Sequence, residues 1–154
     1  MKRTPLKRKS KTEVAKLIQK LVKVSHDYIR NRDSLSKDTV GGACFDCGKI
    51  TYGKNFQAGH FIPDSSGGAL LRYHPHNMHG QASGCNMSFV QERVKINYTL
   101  AMIRMYGQER LNEIMRLKTK TVKADSIFYS KLIELYQIGR EEDIVNFLEN
   151  EKSG

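Results

Sequence analysis

The sequence predicts an α+β protein in which a cysteine- and histidine-rich centre of short strands is flanked by helices on both sides. Three observations carry that prediction. Apolar residues recur at helical spacing before residue 32 and again after Cys85. Between Gly41 and Gly84 that rhythm gives way to short segments rich in Gly, His, Cys and aromatic residues. The chain of 154 residues, 39% of them hydrophobic, has room for one compact domain with its own core but not for two independent enzymatic domains.

In chain order, residues 1–11 (MKRTPLKRKSK) gather basic side chains around Pro5 with little apolar surface to offset their ordering entropy, which predicts a flexible basic tail. Lys7, Arg8 and Lys9 are candidate phosphate contacts there. Residues 12–40 read as a helix and a linker. Ser10 and Glu13 fit a capping box, and Val14, Leu17, Ile18, Leu21, Val22, Tyr28 and Ile29 form an apolar stripe. His26 lies inside this helix and reads as a polar-face or core-edge residue. Residues 41–106 hold the residues capable of chemistry, with short strands expected around Ile50 to Tyr52 and Gln57 to Ile62 and a loop at Gly67 and Gly68. Helical spacing then returns through Val90, Val94, Tyr98, Ala101, Met102 and Met105. Residues 107–154 read as helical scaffold: Gly107 sets off QERLNEIMRL, Asp125 caps a further helix, Gly139 ends it, and a short last helix follows.

Charge selects the partner. Lys and Arg number 26 against 16 Asp and Glu, a net charge of +10, so the field of the whole protein attracts polyanions and nucleic acid is the first partner to consider. No stretch approaches the ~20 apolar residues of a membrane span. Lys2 and Arg3 follow Met1 with no apolar signal core behind them, so a cytoplasmic location is expected. In that reducing setting the three cysteines read as metal ligands or buried thiols.

Cys44 and Cys47 form a C-x-x-C pair, a spacing that lets one tight turn present two thiolates to tetrahedral Zn2+. Cys85 lies in another short glycine-containing turn, and a shared metal would staple segments with little core of their own. Between them come His60 in AGHFIP and Asn77 in HNMHGQ, and Asn86 directly follows Cys85. Together these residues resemble, in order and spacing, the HNH nucleases and their ββα-metal motif. The likeness extends further: IRNRDS, CFDCG, QAGHF, LRYHPHNMHGQ, CN and YGQERLNEI follow one another between about Lys16 and Tyr136 as in the NinG/Rap recombination proteins of lambdoid phages.

That resemblance implies an HNH-like ββα-metal core with zinc-knuckle turns. It also implies cleavage of branched DNA, Holliday junctions and D-loops, during phage recombination in the bacterial host. Where the family carries a second C-x-x-C, this chain reads GQASGCN, so Ala82 stands at an expected thiolate. Cys44, Cys47 and Cys85 would hold zinc more weakly, with water or a ligand such as His79 in fourth place.

Phosphodiester cleavage needs a deprotonated water and a cation for the growing phosphate charge. His60 is the expected base. Asn86, at the start of a helix, is the expected oxygen ligand of Mg2+ or Mn2+, or alternatively a helix cap. Asn77 is expected to brace the loop that orients His60. Gly59 precedes His60 where many HNH sites have an acid, which leaves the second metal ligand to His79, Asp64 or His60 itself. Arg72 suits bidentate phosphate contact, Lys54 is a further DNA contact, and His74 and His76 read as loop polar residues.

The activity that the resemblance implies for these residues is that of a metal-dependent, structure-selective DNA endonuclease. The alternatives are a non-catalytic DNA-binding recombination accessory protein with a degenerate HNH fold and an HNH enzyme that nicks duplex DNA. Branched DNA is the expected partner, a homodimer would suit symmetric cutting, and other phage or host recombination proteins are further candidates.

Overall fold

A computed structural model describes the backbone of residues 6–88 and 91–151, with side chains from Thr12 onward. Among the described residues are seven α-helices and two small antiparallel sheets of two strands each. Helix α1 (Leu6–Arg32) starts earlier than the capping box suggested, so residues 6–11 have helical backbone where a tail was expected. The side chains of Lys7, Arg8 and Lys9, and their expected phosphate contacts, lie outside the described residues.

The apolar stripe of α1 has two partners. Val14, Leu17, Ile18, Leu21 and Val22 pack into a core with Phe128, Leu132 and Tyr136 of α6 (Ser126–Ile138) and with Ile144 and Leu148 of α7 (Glu141–Asn150). Leu21 and Leu132 are fully buried, and truncating such a residue to Ala costs about 2–5 kcal/mol. One helical turn before its end, α1 instead buries Ile29 against Ala58 and Met78.

Strands β1 (Gly41–Ala43) and β2 (Ile50–Tyr52) pair with Ala43 opposite Ile50, which closes the C-x-x-C segment into a turn. Strands β3 (Phe56–His60) and β4 (Met78–Ala82) pair so that Phe56 faces Ala82 and His60 faces Met78. The expected strands at 50–52 and 57–62 correspond to β2 and β3. Helix α2 (Asp64–Arg72) occupies the segment read as a loop. Gly68 breaks it with a φ of 69°, a left-handed value that glycine takes without penalty, while Leu70 and Leu71 anchor it in the core.

A short α3 (Ser83–Met87) follows β4 directly, and α4 (Glu92–Tyr106) and α5 (Gln108–Arg116) complete the chain before α6. Tyr98, Met102, Leu111 and Ile114 from α4 and α5 form a second core around Leu71. Met105, expected on the apolar face, is exposed. Asp125 caps α6 by accepting from Ile127 N and Phe128 N, and Gly139 ends it in the left-handed conformation, both as the sequence indicated.

The IRNRDS segment clamps α1 to the strands. Arg30 Nε donates to Phe56 O and Arg30 Nη2 to Gly53 O, both at 2.8 Å. Arg32 Nη2 donates to Met78 O at 2.8 Å, and Asp33 Oδ2 accepts Gly80 N at 2.7 Å. The same Arg32 reaches α7 through Glu141 Oε2 at 3.0 Å. His76 Nε2 meets the other oxygen of Glu141 at 3.2 Å, and His74 Nε2 meets Glu149 Oε1 at 2.9 Å.

Burial alone would raise the Glu141 carboxyl, but the His76 hydrogen bond and the Arg32 charge bring it down to about 2. Glu149 is likewise held at about 2, chiefly by the His74 hydrogen bond. Burial lowers the pKa of His74, so this pair is a neutral imidazole N–H donating to a carboxylate. Both histidines are thus committed to α7.

Candidate functional site

The two ends of the β3–β4 pair carry two different clusters. At the Phe56–Ala82 end, the C-x-x-C turn meets Cys85 of α3. The turn is fixed by backbone bonds: Gly48 N donates to Cys44 O at 2.8 Å, Cys44 N to Lys49 O at 2.9 Å and Phe45 N to Gly80 O at 2.9 Å. Cys47 Sγ and Cys85 Sγ lie 3.6 Å apart. The donor atoms of Cys44, Asp46, Cys47 and Cys85 all fall within 4.8 Å of one another, and tetrahedral zinc with sulfur ligands needs edges of roughly 3.8 Å.

Asp46, rather than His79, stands beside the three cysteines where a fourth ligand could come from. Its Oδ1 accepts from Cys44 Sγ at 3.0 Å and from Gln81 Nε2 at 2.9 Å. Its Oδ2 is buried without a hydrogen-bond partner, an arrangement that costs free energy unless a cation or another group satisfies it. Burial first, then the Asp46 contact, pushes the Cys44 thiol up to about 11. Three thiols and a carboxylate form a cluster able to hold a metal ion, with a donor set consistent with zinc. The sequence signal for Asp46 was present in CFDC, since a residue between two ligands of a tight turn can reach the same ion.

At the other end, His60 closes β3. Its Nε2 lies 2.8 Å from Arg72 O and 3.2 Å from Asp64 Oδ1. Both neighbours accept, so Nε2 carries a proton and donates, while Nδ1 has no hydrogen-bond partner among the described residues. Arg72 Nε lies 3.6 Å from Asp64 Oδ2, and these two side chains remain 38% and 48% exposed, which opens the cluster to solvent.

Asn77 is fully buried behind this group. Its Oδ1 accepts Ile62 N at 2.8 Å, and its Nδ2 donates to Ile62 O at 3.0 Å and to Leu71 O at 2.9 Å. It therefore fixes both the segment after His60 and the carbonyl preceding Arg72 O, the acceptor of His60.

Three expectations need correction. His79 reaches neither cluster. It is buried, its ring is stacked 3.9 Å from Phe45, Nδ1 is 3.1 Å from the Tyr98 hydroxyl and Nε2 is 2.6 Å from the Tyr106 hydroxyl. Since Tyr98 donates to Gly59 O at 2.8 Å, it accepts from His79 Nδ1–H, and Tyr106 donates to Nε2. Burial pushes the His79 pKa well below its usual value, and both nitrogens of this neutral ring are engaged, so it is no ligand for magnesium or zinc in this arrangement.

Asn86 lies inside α3 and does not cap it. Its Nδ2 donates to Gln57 Oε1 at 2.9 Å, three strand residues or about 10 Å from His60 and on the opposite face of β3. Lys54 sits in the 3-10 turn Gly53–Asn55 that leads into β3, at the cysteine end rather than beside His60.

Gly59 also has a structural account. The side chain of Gln81 fills the space where a Cβ at residue 59 would project, so an acid there would displace Gln81 from Asp46. Sequence reasoning missed His26 as well: its ring lies 5.8 Å from that of His60, edge to face. Burial, and then His60, lowers its pKa.

The described chain is thus a small α+β protein with a cluster of three cysteines and one carboxylate able to hold a metal ion, and a separate histidine cluster on one strand pair. It belongs to the family of the bacteriophage lambda NinG protein, whose family model matches residues 1–139. That membership links it to phage recombination. Comparison with curated proteins and with solved structures yields no match. Among the described residues no helix is long and apolar enough to cross a membrane.

Proposed function

We propose that this chain is a metal-dependent endonuclease that cuts branched DNA, such as Holliday junctions and D-loops, in phage recombination, with β3, β4 and α3 as an HNH-like ββα unit. The observation that carries the reading is His60 beside the exposed Asp64 and Arg72, with Nε2 anchored on Arg72 O and Nδ1 without a hydrogen-bond partner among the described residues. Asn77 holds the two segments that set this geometry. The net charge of +10 supplies the attraction for DNA.

In the proposed reaction Nδ1 of His60 takes a proton from the attacking water, the proton on Nε2 stays on that nitrogen and donates to Arg72 O, and the 3′ oxygen leaves and takes a proton from solvent. The Arg72 guanidinium binds the phosphate oxygens. Asp64 is the exposed carboxylate beside His60. It suits an ion such as Mg2+ or Mn2+ that takes its other oxygens from substrate phosphate and water. When bound, that ion would neutralise charge gathering on the phosphate. By analogy with HNH enzymes, the products carry a 5′-phosphate and a 3′-hydroxyl.

A non-catalytic accessory role is the second reading, favoured by Gly59 and by the tie between Asn86 and Gln57 away from His60. The test is cleavage of a labelled four-way junction beside a linear duplex of equal length, with Mg2+ added or withheld. Junction cutting that requires Mg2+ is the expected result. Equal cutting of both substrates would point to a duplex-nicking enzyme, and junction binding without cutting to the accessory role.

A further inference from the structure

His26 is the one member of the His60 cluster that the proposed reaction leaves without a task. It comes from a different element, α1, and its position there is not incidental. Arg30, one turn further along the same face, is bonded to Phe56 O, and Ile29 packs against Ala58. These contacts run α1 along β3 so that His26 arrives opposite His60, where the ring centroids are 5.8 Å apart at 61°. The neighbouring Asp27 pairs with Lys23 at 2.6 Å, on the outer side of the helix.

Among the described residues His26 has no hydrogen-bond partner, although it is partly buried. A partly buried imidazole is ordinarily tied down through at least one nitrogen, as His60, His74, His76 and His79 all are here. His26 instead keeps both nitrogens available within a cluster that contains an exposed arginine and an exposed carboxylate. Such a ring can donate one N–H to an anionic oxygen entering between His60 and Arg72.

We propose that His26 binds the scissile phosphate, its imidazole N–H donating to a nonbridging oxygen of the phosphodiester while His60 activates water. The proposal rests on the nuclease reading. Together, Arg72 and His26 would hold the phosphate from two sides, one from α2 and one from α1. The IRNRDS clamp would then set the width of the cleft by fixing how α1 lies on β3.

The test uses the full chain and a DNA carrying a single phosphorothioate, as separated Rp and Sp isomers, at the cut site mapped with wild type. His26→Ala is expected to cut the ordinary diester roughly 100-fold more slowly, with its melting temperature and zinc content retained. Its Rp/Sp rate ratio is expected to move toward one, because the oxygen that His26 contacts no longer matters. His26→Gln, which keeps an N–H donor, is expected to regain part of both the rate and the isomer preference. A wild-type rate in His26→Ala, or a slowed rate with the Rp/Sp ratio unchanged in both variants, overturns the assignment while the nuclease reading stands. A wild-type protein that cuts no DNA removes the nuclease reading and this assignment with it.

Discussion

The two ends of the β3–β4 pair are four residues apart along the strand, yet they solve opposite problems. At the Phe56–Ala82 end, donors converge on one point: three sulfurs and Asp46 lie within 4.8 Å of one another, and a carboxylate oxygen is buried with nothing to bond. That end offers a metal ion a converging set of donors. At the His60 end, polar groups are held from behind and left open in front: Asn77 is fully buried, while Asp64 and Arg72 are about half exposed. The difference separates a converging set of donors that could hold a metal ion from a set of side chains that solvent reaches.

The largest effect should come from the stapling end. Structural zinc in small metal-dependent folds contributes on the order of 10 kcal/mol. Stripping the metal, or Cys44→Ser, should therefore melt the β1–β2 and α3 region and lower the melting temperature more than any substitution at the other end. Elemental analysis before and after chelation, paired with thermal melting, would show this. Unchanged melting after complete metal removal would erase the contrast between the two ends.

Next is His60→Ala. It should slow cleavage by about 10²–10⁴-fold, the range for loss of a positioned base, while melting stays near wild type. Asn77→Ala should cost about 3 kcal/mol of stability, because it leaves the Ile62 N–H and C=O without their Asn77 partner and removes one of the bonds to Leu71 O in a buried site. Chemical denaturation would measure it, and a loss under 1 kcal/mol would show that the brace is dispensable.

Gln81→Ala tests the outer support of the metal cluster. Its amide orients Asp46 at 2.9 Å, and loss of such a support lowers metal affinity roughly 10–100-fold, which competition with a chelating dye would read.

The smallest effect concerns α7 and belongs to neither end. Glu141 and Glu149 sit at about 2, below their ordinary 4.5, so their contribution to stability is complete above pH 4.5 and is lost as pH falls toward 2. Glu141→Gln should flatten the acid limb of a stability–pH curve and leave the neutral region little changed in slope. A wild-type acid limb in that variant would show that Arg32 and His76 do not hold α7 through this carboxylate.

Much of the helical scaffold was legible because its signals are local. Asp125 and Gly139 cap α6 through their own backbone geometry, and the apolar stripe of α1 follows helical periodicity. Helix α2 was not legible, since Gly67 and Gly68 read as loop while Leu70 and Leu71 fold it through contacts distant in sequence.

The clusters divide the same way. Cys44, Cys47 and Cys85 were visible as a spacing. Asp46 became a donor only once Cys85 and Gln81 were brought against it. His79 was a candidate ligand from its place in HNMHGQ between the cysteine turns, but Tyr98 and Tyr106, far along the chain, occupy both of its nitrogens. His26 was set aside for the converse reason, since its place beside His60 depends on the clamp made by Arg30 and Arg32.

The most direct test of the division between a stapling end and a reactive end is junction cleavage by wild type and His60→Ala, with zinc content and melting measured on the same preparations. The predicted result is Mg2+-dependent cutting by wild type that falls at least about 100-fold in His60→Ala, with equal zinc and equal melting. Cutting by His60→Ala at the wild-type rate would contradict the account.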